Sequence, residues 1–83
     1  MQLYCVNNNK LLIQLADIEH QRWADWQKYL HSKCIKNKDG SLTIPAGYVK
    51  NLERLIQTPY SKLTDNEKES DIEQVMRYWK YLG

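Results

Sequence analysis

Phenylalanine is absent from this chain, and proline, cysteine and glycine are scarce, at two, two and three residues. Without phenylalanine, aromatic burial falls to six tyrosines and three tryptophans. Each of these carries a polar atom that needs a partner once buried. A dominant charge is also missing: 12 basic residues face 10 acidic ones, for a net +2. That balance does not argue for nucleic acid as a partner. No apolar run is long enough to span a bilayer, and the N-terminus shows no signal-peptide pattern. The chain therefore reads as soluble and cytoplasmic, with no membrane partner. No internal repeat or low-complexity segment occurs.

Chemical motifs are equally sparse. There is no glycine-rich phosphate loop, no nucleophile elbow and no carboxylate cluster at metal spacing. Cys5 and Cys34 stand far apart with no Cys-x-x-Cys pair, so free thiols are expected. A disulfide between them, or a zinc site completed by His20 and His31, are the lesser readings. No cofactor and no metal are expected, and an enzyme is the least favoured class.

What is present is helix. The 83 residues make one small domain with a limited core. Met1 to Val6 reads as a short strand or extended arm, and Asn7-Asn8-Asn9 as a turn or cap. The first helix runs from about Lys10 to about Lys33 without glycine or proline. At about 100° per residue, Leu11, Leu12, Leu15, Ile18, Trp23, Trp26, Leu30 and Cys34 share roughly one half of its surface. Gln14, Asp17, Gln21, Asp25 and Lys28 form the polar face. Glu19 falls near the centre of the apolar half, where a carboxylate is costly unless paired.

Asp39-Gly40 is a tight-turn signal, flanked by Ile35 and by alternating Leu42 and Ile44. It predicts a small hairpin, Ile35–Lys38 with Ser41–Ile44, that must lean on the helices. The second helix should run from Pro45 to Gln57, with Tyr48, Val49, Leu52, Leu55 and Ile56 as its apolar face. Thr58-Pro59 ends it. Thr64-Asp65-Asn66-Glu67 is a capping box. The third helix then runs to about Leu82, with Ile72, Val75, Met76, Trp79 and Leu82 as its buried stripe. Lys68 lies on that stripe. An acid and a base on two apolar faces predict that Glu19 and Lys68 meet as a structural ion pair in the core, with Tyr60 or Arg22 as further partners. The fold class expected is mainly α: a small three-helix domain with a short β-hairpin between the first and second helices.

Two segments carry a resemblance. Ile18-Glu19-His20-x-x-Trp23, followed by Tyr60-x-x-Leu63-x-x-x-Glu67-Lys68-x-x-Asp71, resembles the RyR domain, the module repeated in ryanodine receptors and found in bacterial and bacteriophage proteins. The stretch Asp39–Pro45 departs from the Gly-Trp-x-Tyr-Gly-like pattern of that family. The chain looks most like its short bacteriophage members. The resemblance implies a helical domain over residues 1–83 with no general enzymatic activity. Some stand-alone relatives occur near nucleotide-signalling genes, which implies a small-ligand role, in the host cytoplasm if the chain is phage-encoded.

Each functional reading stands beside a structural one. Glu19 and His20 form an acid–base pair with Arg22 as anion clamp, or else a core ion pair and a surface histidine. Trp23, Trp26 and Trp79 stack on a flat ligand, or else fill the core. Lys33, Lys36, Lys38, Lys50 and Arg54 attract phosphate, or else are solvated; no helix displays the polar readers that DNA requires. Tyr4, Tyr29, Tyr48, Tyr78 and Tyr81 are too many to bury together, which makes an interface with a host protein or a second copy an open class. The leading expectation is a non-enzymatic binding module for a nucleotide-like ligand. Arg22, Trp26, Tyr29 and Lys33 lie in one narrow strip of the first helix and are the candidate ligand-binding residues.

Overall fold

The structure is a computed structural model that describes residues 10–82. The expected N-terminal strand or arm, the asparagine cap, Tyr4 and Cys5 lie outside the described residues. Three helices and a two-stranded hairpin follow one another in the expected order: α1 Lys10–Ser32, β1 Ile35–Lys36, β2 Leu42–Thr43, α2 Ala46–Gln57 and α3 Asp65–Trp79. The domain is mainly α, with the antiparallel hairpin between the first two helices.

α1 ends where its backbone tightens. Lys33 N–H donates to the Leu30 carbonyl at 3.1 Å, and the Cys34 thiol donates to the same carbonyl at 3.2 Å. Cys34 is a half-buried free thiol. The hairpin is shorter than expected, and its register is shifted by one residue: Ile35 faces Thr43 and Lys36 faces Leu42. The turn explains the shift. Gly40 N–H donates to the Asn37 carbonyl, Gly40 has φ of 90°, and Asn37 N–H donates to the Ser41 carbonyl. This is a three-residue loop that ends in a left-handed glycine, not a two-residue Asp-Gly turn. The Asp39 carboxylate accepts from the Ser41 N–H at 2.9 Å and the Ser41 hydroxyl at 2.6 Å, which holds the loop in that form.

Pro45 precedes α2 as its extended N-cap residue, with φ of −58° and ψ of 144°. Thr58 is extended, as the residue before a proline must be. Its hydroxyl donates to the Arg54 carbonyl at 2.5 Å. A single 3-10 turn, Tyr60–Lys62, leads to the expected capping box on α3. Glu67 N–H donates to the Thr64 hydroxyl at 3.2 Å, and Thr64 N–H donates to the Glu67 carboxylate at 3.0 Å. α3 stops at Trp79, three residues before the expected end; Tyr81 and Leu82 N–H donate to the Tyr78 and Trp79 carbonyls in a tightened last turn.

The orientation of α3 reverses the expected packing. No residue among those described is fully buried. Ile72, Val75, Met76, Trp79 and Leu82, expected as the buried stripe, are all exposed. Their opposite face, with Glu67, Gln74 and Arg77, is the less exposed side of the helix. Two ion pairs turn it inward: Arg77 to Asp25 of α1 at 2.9 Å, and Glu67 to Arg54 of α2 at 2.5 Å. Trp23, Trp26 and Trp79 are correspondingly exposed rather than core. Half-buried Leu12, Leu15, Ile18, Leu30, Leu52, Leu55 and Leu63 are what remains of an interior.

Replacing Thr64 by alanine removes the cap, and the expected cost is about 1 kcal/mol. Urea melts followed by circular dichroism measure it; an unchanged midpoint would mean that α3 does not depend on its capping box.

Candidate ligand cleft between the first and third helices

Arg22, Trp26 and Tyr29 recur on one side of α1 because their spacings of four and three residues match the helical repeat. That side forms one wall of an open cleft of about 780 Å³. Glu67, Asp71, Gln74 and Arg77 of α3 form the facing wall. Leu55, Tyr60 and Leu63 complete it from α2 and the connector. The rings of Trp26 and Tyr29 are stacked, 6.0 Å apart and inclined by 23°, and both line the cleft. Lys33 sits one turn on, its ammonium 5.2 Å from the Tyr29 ring centre. The four residues of the sequence-derived strip are thus brought together, three in the cleft wall and Lys33 through Tyr29.

The structural ion pair expected between Glu19 and Lys68 is replaced by two nearer contacts. Arg22 Nε donates to Glu19 Oε2 at 3.1 Å, and its Nη2 meets Oε1. One helical turn separates these residues, so the pair closes without any tertiary contact. Glu19 stays exposed, its side chain at 59%. The Arg22 guanidinium holds the Glu19 carboxyl below its usual range. Lys68 lies instead with its ammonium 5.7 Å from the centre of the Tyr60 ring. His20 stacks on Trp23 with ring centres 5.9 Å apart, so Glu19 and His20, weighed as an alternative acid–base pair, take different partners.

Charge around the cleft follows from these pairings. Asp25 accepts from Arg77 and, at 3.0 Å, from Gln21; the two bonds hold its carboxyl below its usual range, Arg77 contributing most. Glu67 is the most perturbed group. The Arg54 guanidinium, helped by the Thr64 N–H, brings its carboxyl from 4.5 down to about 2. Asp71 has no ion-pair or hydrogen-bond partner among the described residues. Lys33 and Lys68 likewise have no carboxylate partner there; each rests on a tyrosine that lines the cleft. The cleft therefore offers an aromatic face and one free acceptor, and two lysines at its margin rest on its tyrosines. Sequence reasoning missed Tyr60 and Asp71 as cleft groups, and Lys68 as the cation that rests on Tyr60. They lie in the Tyr60–Asp71 segment, but a position on a helix says nothing about which neighbour that helix faces. No group of three metal-ligating side chains occurs among the described residues, and none of their helices is long and apolar enough to cross a membrane.

The depressed Glu67 carboxyl predicts acid sensitivity. Its contribution to stability is complete above pH 4.5 and is lost as pH falls towards about 2. The melting temperature should fall through that window, and fall less steeply in Arg54→Ala. Identical acid limbs in the two proteins would show that Arg54 and Glu67 are not paired in solution.

No family model, curated protein or solved structure matches this chain.

Proposed function

We propose that the chain is a non-enzymatic binding module that holds a small nucleotide-like ligand in the cleft between α1 and α3. The observation that carries this reading is the stacked Trp26–Tyr29 surface in an open cleft, with unpaired lysine ammoniums over Tyr29 and Tyr60. Stacking on an aromatic face is worth about 1–3 kcal/mol per base, whatever the base. A volume near 780 Å³ is within the ordinary range for small-molecule sites.

The roles follow from the chemistry. Trp26 and Tyr29 take the flat base. Lys33 and Lys68 exchange their tyrosine contacts for phosphate oxygens. Arg22 joins them by leaving Glu19, which costs little because exposed pairs of this kind are weak. Asp71 accepts a hydrogen bond from an exocyclic amine, which favours adenine, guanine or cytosine over a base without one. The resemblance of the Ile18–Trp23 and Tyr60–Asp71 segments to the RyR domain is in keeping with a ligand role. In a bacteriophage protein such a module would sequester a host signalling nucleotide in the host cytoplasm. The competing reading, a module that docks on a host protein, draws on a different surface, the outward stripe of α3.

Thermal-shift and calorimetric titrations with mono- and dinucleotides test the proposal. A ligand that binds the folded state must raise the melting temperature. Trp26→Ala and Arg22→Ala are each expected to weaken binding while leaving the unliganded melting temperature within a few degrees. Asp71→Asn should reduce the preference for amino-bearing bases. If no nucleotide shifts the wild-type protein at millimolar concentration, the cleft is not a nucleotide site.

A further inference from the structure

Among the described residues, five large apolar side chains of α3 and its last turn stay uncovered on one side of the helix. Ile72, Val75, Met76, Trp79 and Leu82 are 49%, 37%, 57%, 60% and 56% exposed. All lie within about 120° of arc on one side of the helix and its last turn. The ion pairs from Arg77 and Glu67 hold the polar side of α3 against the rest of the chain, so the stripe cannot turn inward without breaking both. With five such side chains each about half exposed, the stripe offers at most ~500 Å² per copy. Two such stripes face to face remove ~1,000 Å² from water, the lower limit for a specific interface.

We propose that α3 pairs with α3 of a second copy of this chain, antiparallel, across a twofold axis near Val75 and Met76. The direction follows from charge. At about 100° per residue, Glu69, Glu73 and Lys80 fall on the same flank of the stripe. In an antiparallel pair, equal flanks of the two helices face each other in reverse order. Lys80 then stands between Glu69 and Glu73 of the partner subunit, once at each end of the interface. A parallel pair would leave both lysines without a carboxylate. The centre of the interface is Val75 and Met76, and the aromatic Trp79 of each copy stands over Ile72 of the partner subunit, where aromatic and methionine side chains favour such contacts. The cleft lies on the other side of α3, so both copies keep it open.

The test is sedimentation equilibrium of the full chain from about 1 to 300 μM. The wild type should form a concentration-dependent dimer. Met76→Glu and Trp79→Asp should weaken it roughly thirtyfold or more. Both positions are exposed in the isolated chain, so the variants should keep the wild-type far-ultraviolet circular dichroism. Charge reversal gives a second measurement that does not touch the apolar stripe. Glu69→Lys alone should weaken the dimer several-fold, and Glu69→Lys combined with Lys80→Glu should restore it. A wild-type monomer at every concentration overturns the proposal, including one whose stripe binds a different protein. A dimer that Met76→Glu leaves intact overturns it too, as does one that the double charge reversal fails to restore. Failure here leaves the nucleotide titrations unaffected, because no cleft residue is altered.

Discussion

The Glu67 carboxylate is the group on which this arrangement turns. It accepts the Arg54 guanidinium from α2 and the Thr64 N–H at the start of its own helix. One side chain therefore starts α3 and fixes which way it faces. A carboxylate at the first turn of a helix is also favoured by the helix dipole. Its low pKa is the sum of these contacts. The pair is only partly covered, so it works through geometry more than through strength. Together with Arg77 and Asp25 near the other end of α3, it sets the polar face inward and the apolar face outward.

That inversion makes the cleft. Had Ile72, Val75 and Trp79 packed on α1, they would have covered Trp26 and Tyr29, and the strip would have been core. Instead Asp71, Gln74 and Arg77 face the aromatic pair across open space. The same event exposes five large apolar side chains on the far side of the helix. Open cleft and uncovered stripe are two consequences of one orientation, and each proposed ligand uses one of them.

The domain has little interior to spend on this. None of its described side chains is fully buried, so most of its cohesion is local: helix bonds, caps, one-turn ion pairs and a short hairpin. A second copy laid on α3 would supply the burial that the single chain lacks. Small domains commonly need such help, since they cannot bury enough of their own surface.

The sequence by itself determined whatever depends on neighbours along the chain. The three helices, the capping box at Thr64, the stop at Thr58-Pro59 and the turn of the hairpin all rest on contacts within four or five residues. So does the strip of Arg22, Trp26, Tyr29 and Lys33, because helical spacing alone brings those side chains to one side. Only the tertiary structure decided what those sides face. Glu19 and Lys68 both lie on apolar faces, and periodicity joined them; in the fold Arg22 reaches Glu19 from one turn away, and Lys68 rests on Tyr60. The stripe of α3 was legible as a stripe, but its direction depended on Arg54 meeting Glu67 across 13 residues and Asp25 of α1 meeting Arg77 of α3. Periodicity records where a side chain sits on its own helix. The rotation of that helix against its neighbours is set by long-range pairs that leave no periodic trace.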